Sequence, residues 1–257
     1  MAAMSRTLDS VESSPSDSGG TRLMLISADC HAGPPTMRDY RDYVEARDLD
    51  DFDEYCAAIE EHERTHAKSA SGGANLAQPR DTDTAADHHE LQEGLWDAQV
   101  RRRYLDAEGL AGEVIFPQGS VPFAPYPAIA GFGGTMEYQA PVELRNAGPG
   151  IYNRWLADFC STDPERHAGV AVVPIRHPEQ AAAEVKRARA AGLFGGISLP
   201  PVSEEFPKYN DRCYDPLWAA CEESGMPINL HGGAGKYYGP GPESIALILT
   251  ETDWFSH

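Results

Sequence analysis

The sequence predicts an α/β fold built from parallel βαβ units, and three observations carry that prediction. Short apolar runs recur along the chain. Three of them follow a helical stretch that ends in glycine. Residues able to perform chemistry stand at the ends of the first and last of these runs, where parallel α/β proteins keep their sites.

The first run, Leu23-Met24-Leu25-Ile26-Ser27-Ala28, ends at Asp29-Cys30-His31. Being apolar on successive residues, it suits a strand buried on both faces. Residues 39–95 then form a polar insertion, helical at first and loop-like through Ser71-Gly72-Gly73-Ala74 and Pro79–Asp87. Leu105–Pro117 (LDAEGLAGEVIFP), Ala188–Pro200 (ARAAGLFGGISLP) and Ala219–His231 (AACEESGMPINLH) share one design: helix, glycine, short gap, apolar strand. Gly109, Gly192 and Gly225 fit the left-handed position that closes a helix. Between the first two of these units, residues 119–150 form a Gly/Pro-rich loop carrying Phe123, Tyr126, Phe132 and Tyr138. A connection this long inside a domain is a lid or binding loop, or a disordered segment. A helix over Ile151–Cys160 follows, with Ile151, Trp155, Leu156 and Phe159 on one face. It leads to a strand at Ala168–Pro174, and Pro178 is well placed at the start of the next helix.

Composition narrows the function. The 257 residues carry 21 basic and 40 acidic side chains, a net charge of −19. Such a surface repels phosphate backbones and anionic lipid, which argues against nucleic-acid and membrane partners. No apolar run approaches the ~20 residues that span a bilayer. Residues 1–21, rich in Ser, Asp and Gly, lack the basic and apolar regions of a signal peptide and read as a disordered tail ahead of one domain over 22–257. Five cysteines, widely spaced and without a CxxC, suit reduced thiols in the cytoplasm.

Two regions hold metal-ligand chemistry. His62-Glu63-Arg64-Thr65-His66 spells H-E-x-x-H, the helical pattern of zinc proteases. Its neighbours Glu60, Glu61, Arg64 and Lys68 make it a solvated helix, with Glu60 and Arg64 spaced for an i,i+4 pair. The stronger candidate is Asp29 with His31 at the end of the first strand and His231 at the end of the last. Residues two apart on an extended chain point the same way, so Asp29 and His31 can converge on one ion. A carboxylate and neutral imidazoles suit Zn²⁺ or another divalent transition metal. His177, after the third strand, is a candidate substrate or supporting contact. His231-Gly232-Gly233-Ala234-Gly235 is similar to a lipase oxyanion loop, but the chain has no G-x-S-x-G; Gly232–Lys236 fails the phosphate-loop pattern.

LISADCHAGP, LDAEGLAGEVIFP, YNRWLADFCSTDPERHAGVAVVP and YDPLWAACEESGMPINLHGG, in that order, resemble the amidohydrolase-related family of the amidohydrolase superfamily. That group includes aminocarboxymuconate-semialdehyde and resorcylate-type decarboxylases. The resemblance covers residues 23–257 and implies a distorted (β/α)8 TIM barrel of the metal-dependent hydrolase type. Only about the first five βα units fall within this chain. It makes Asp29, His31 and His231 ligands of a divalent metal, zinc first, with Mn²⁺ or another transition metal as alternatives.

The implied activity is hydrolysis or decarboxylation of a small carbonyl- or carboxylate-bearing substrate, aromatic acids included, through a metal-bound water or metal-bound substrate. The family's remaining groups, a strand-six histidine and a strand-eight aspartate, are expected beyond residue 257, and Asp253 and His257 are poor substitutes. The chain as given is therefore expected to be weakly active or inactive, to associate with itself or another chain, or to serve only as a binding or assembly module.

Overall fold

The computed structural model describes residues 23–66, 93–118, 121–123, 125, 140–200 and 206–231. Six strands lie within them: β1 (Leu25–Ala32), β2 (Leu110–Pro117), β3 (His167–Gly169), β4 (Ala171–Val172), β5 (Ile197–Leu199) and β6 (Ile228–Leu230). They form two three-stranded sheets, β1-β2-β3 and β4-β5-β6, and every pairing is parallel. The expected third strand at 168–174 is thus divided into β3 and β4 around Val170. The division joins the sheets: Val170 N–H donates to Ile115 O on one side, and Ala171 N–H donates to Gly196 O on the other.

Helices separate most of the successive strands along the chain, as parallel pairing requires of its connections. They are α1 (Leu49–His66), α2 (Ala98–Ala107), the short α3 (Val142–Arg145), α4 (Gly148–Ser161), α5 (Pro178–Ala190) and α6 (Asp215–Ser224). Asp97 caps α2 by accepting from Gln99 N (2.8 Å) and Val100 N (3.0 Å). Prolines fill the first turns of α4, α5 and α6, where a missing N–H costs nothing. Gly109, Gly192 and Gly225 have φ of +68°, +96° and +61°. A Cβ on any of them would meet open space, so backbone conformation, not crowding, selects glycine there.

Apolar faces set the packing. Ile151, Trp155, Leu156 and Phe159 of α4 are buried, as their spacing predicts, and α4 lies against β3 and β4. Each large side chain buried this way stabilises the fold by about 1.5–3 kcal/mol. Asn153 on the same helix replaces a missing strand neighbour at Val172. It accepts from Val172 N–H and donates to Val172 O, both at 2.8 Å. The first half of α1 is less solvated than its composition implies. Phe52, Tyr55, Cys56 and Ile59, at i, i+3, i+4 and i+7, form a buried stripe, and the rings of Phe52 and Tyr55 pack on Phe123.

Burial corrects the reading of the first strand. β5, central in its sheet, is fully buried, but Leu25 and Ile26 of β1 are more than half exposed. The apolar run was compatible with two covered faces. In the fold β1 lies at the outer edge of its sheet, as β6 does in the other, and Leu230 is similarly exposed. Tyr126, Phe132 and Tyr138, the tail 1–21 and the residues after His231 lie outside the described residues.

Candidate metal centre

Asp29 and His31 fall within β1, and His231 follows directly on β6. Counting the joined β3 and β4 as one, these are the outer members of a five-strand array. In a flat sheet strands four spacings apart would be about 19 Å distant. Here Asp29 Oδ1 is 3.2 Å from His231 Nε2, so the array curls strongly and brings its outer strands together at their C-terminal ends. Asp29 Oδ1 is also 3.5 Å from His31 Nε2. One ligand atom from each of the three residues lies within 4.8 Å of the other two.

Strand β2 supplies the walls of this site. His31 Nδ1 is 2.9 Å from Pro117 O, which can only accept, so the ring hydrogen is assigned to Nδ1. Nε2 is then left with its lone pair directed toward Asp29 and His231. Backbone fixing of the far nitrogen is how ligand imidazoles are oriented in metal sites. Phe116 packs against both rings, its centroid 4.6 Å from His231 and 6.2 Å from His31. The imidazoles themselves meet edge to face at 5.0 Å. Asp29 is 71% exposed and each histidine 31%, so the site opens to solvent with its carboxylate outermost.

Among the described residues this cluster consists of Asp29, His31 and His231. His177 caps the start of α5, its N–H donating to Pro174 O and its carbonyl accepting from Ala181. It is not one of the three residues whose ligand atoms cluster. Its buried Nε2 has no hydrogen-bond partner among the described residues. H-E-x-x-H occupies the last turns of α1, where Glu60, Glu61, Arg64 and Thr65 are exposed; the side chains of His62, Glu63 and His66 lie outside the described residues. The i,i+4 pairing of Glu60 with Arg64 does not form. Arg64 turns to Glu61 (2.6 Å), while Glu60 takes Arg38 from the turn before α1 (3.0 Å). Arg38 becomes Glu60's neighbour only through the tertiary fold.

Sequence reasoning missed the residues behind the site. Glu113 of β2 is buried and accepts from Arg101 of α2 (2.7 Å) and from His167 Nδ1 of β3 (2.9 Å). Burial by itself would raise the Glu113 pKa; the hydrogen bonds from His167 and Arg101 outweigh it and hold the carboxyl at about 2. An acidic residue inside the apolar strand GEVIFP was the available signal, because a buried charge demands a partner. All five cysteines are free thiols; Cys56, Cys160 and Cys221 are buried, Cys30 is half-buried and Cys213 is exposed.

The geometry can be set beside known proteins. No curated protein matches the sequence. Among solved structures, 5-carboxyvanillate decarboxylase from Novosphingobium aromaticivorans, with bound manganese and 3-methoxy-4-hydroxy-5-nitrobenzoic acid, is similar at 20% identity and a TM-score of 0.50. The match covers 90% of this chain and 55% of that one. Dihydroxybenzoic acid decarboxylase from Polaromonas sp. JS666, with manganese and the inhibitor 2-nitroresorcinol, is similar at 21% identity and a TM-score of 0.50, covering 91% and 55% of the two chains. The chain thus spans about half the length of the solved structures it matches. At these identities the likeness is one of fold. The amidohydrolase family model matches residues 28–252, nearly the whole chain, and the protein belongs to that amidohydrolase family.

Proposed function

We propose that this chain carries part of the active site of a metal-dependent hydrolase or carboxy-lyase acting on a small carboxylate- or carbonyl-bearing substrate. The observation that carries the reading is the convergence of Asp29, His31 and His231 to within 4.8 Å. On this reading β1, β2, the joined β3 and β4, β5 and β6 correspond to the first five strands of a barrel whose C-terminal face holds the site. The strong curl of the array supports that assignment.

The donor set fits a divalent transition metal. Two imidazole nitrogens and one carboxylate are borderline-hard ligands suited to Zn²⁺ or Mn²⁺. The Pro117 carbonyl leaves His31 Nε2 free to coordinate, and Asp29's charge partners among the described residues are the two imidazoles. His31, His231 and Asp29 would hold the cation. When bound, it would supply Lewis acidity toward a carbonyl or carboxylate oxygen and acidify water. The chain's own residues then have distinct tasks. Pro117 O keeps His31 in one tautomer, Phe116 restricts both rings, and the exposed Asp29 carboxylate faces the side from which a substrate arrives. The fold likeness to two decarboxylases of aromatic acids makes hydroxylated benzoic acids the first substrates to test.

Metal analysis of the purified chain after loading with Zn²⁺ or Mn²⁺ tests the reading. One ion per chain is expected, falling by at least tenfold in Asp29→Ala, His31→Ala and His231→Ala. A parent chain that retains no stoichiometric metal overturns it.

A further inference from the structure

β1 does not run evenly against β2. Ser27 pairs with Glu113 and Cys30 with Ile115, so β1 advances three residues while β2 advances two. The extra residue is a β-bulge, and it falls across Ala28 and Asp29. A bulge resets the alternation of side chains and re-aims the residue it contains. The reset is visible directly. Residues three apart on a regular strand face opposite ways, yet Cys30 Sγ donates to Ser27 Oγ at 2.9 Å. Both side chains therefore stand on the reverse face of the strand, away from the metal ligands. Beyond the bulge the pairing is regular again, with His31 opposite Phe116 and Ala32 opposite Pro117.

The reverse face is anchored. The Cys30 thiol lies against the Glu113 carboxylate and the Arg101 guanidinium. Glu113 is in turn fixed by Arg101 and His167, with both its side chain and that of His167 fully buried. The anchor cannot shift without exposing or unpairing buried charge, which is costly. Asp29, one residue from Cys30, is largely exposed and has no rigid partner of its own beyond the two imidazoles.

We infer that the Cys30–Ser27 hydrogen bond is a clasp across the bulge, making these two residues positioning residues that aim Asp29 at His31 and His231. The inference rests on the metal-site reading above. Releasing the clasp leaves the ligands in place but lets the bulge relax, so it weakens metal binding without abolishing it. Serine at position 30 can still donate to Ser27, whereas alanine cannot.

The test is the Mn²⁺ dissociation constant of the full chain, measured by titration calorimetry alongside the thermal midpoint of the metal-free protein. Cys30→Ala and Ser27→Ala are each expected to weaken Mn²⁺ binding about 5- to 10-fold, the scale of one lost hydrogen bond. Cys30→Ser is expected to return it to within twofold of the parent. Ser27→Ala keeps the test open where Cys30→Ala fails to fold. Alanine variants that bind within twofold of the parent overturn the clasp alone, whatever their thermal midpoints, and so does a Cys30→Ser variant as weak as Cys30→Ala. A parent chain that binds no Mn²⁺ overturns the clasp together with the metal site.

Discussion

Two clusters among the described residues pair a carboxylate with histidine, and their surroundings are opposite. Glu113 and His167 are fully buried beside Arg101, whereas Asp29 meets His31 and His231 in an open mouth with its carboxylate largely exposed. In the buried cluster a guanidinium neutralises the carboxylate and fills its acceptor positions. In the open cluster no lysine or arginine does so among the described residues, and a backbone carbonyl turns one imidazole's lone pair inward. The same residue types therefore serve different ends. A carboxylate closed off by arginine holds strands and helices together, and one left to imidazoles is available to a cation.

Breaking the buried cluster has the largest expected effect. Glu113→Ala leaves the Arg101 guanidinium, only 14% exposed, without its partner. Removing one member of such a pair costs about 3–5 kcal/mol. Urea unfolding should show that loss as a lower midpoint at unchanged slope, and a loss under about 1 kcal/mol would contradict a structural role for the cluster. Acid probes the same carboxylate more gently. The Glu113 pKa is about 2 in the folded chain against an ordinary 4.5. Because the folded value is depressed, its stabilisation is complete above pH 4.5 and is lost as the pH falls through the folded value. The interval is worth about 3 kcal/mol. Other carboxylates titrate there as well, so the readout is a difference. Between pH 5 and pH 2.5 the parent should lose more stability than Glu113→Gln, and equal losses would remove Glu113 from the acid transition.

The open cluster was legible in the sequence and the buried one was not. Asp29, His31 and His231 stand at the ends of apolar runs, where parallel α/β proteins keep their sites, and the family resemblance named them together. The parallel pairing, the helix-ending glycines and the apolar face of α4 were legible for the same reason: each is a local pattern. Glu113 finds Arg101 and His167 on two other elements, and no local period records such a meeting. The bulge at Ala28 and Asp29 is a matter of register between two strands, so it leaves no mark on either strand alone. The exposure of Leu25 and Ile26 likewise depends on which strand occupies the sheet edge. Arg64 pairs with Glu61 and Glu60 pairs with Arg38, a partner that only the folded chain brings beside it.

The smallest effect on stability belongs to Asp29, and its smallness separates the two clusters most sharply. Asp29→Asn keeps the shape of the side chain and removes its charge from a position facing solvent. The carboxylate's contacts with His31 and His231, at 3.5 and 3.2 Å, are exposed pairs that solvent screens. The metal-free thermal midpoint should therefore change by the equivalent of less than about 0.5 kcal/mol, as for other surface substitutions. Adding Mn²⁺ then distinguishes a ligand from a bystander. A cation at a hundred times its dissociation constant stabilises the parent by about 2.7 kcal/mol. The asparagine variant, which offers a neutral amide oxygen in place of the carboxylate, should gain little at the same concentration. If metal-free Asp29→Asn unfolded as readily as Glu113→Ala, Asp29 would be part of the scaffold, and the division between a closed cluster and an open one would not hold.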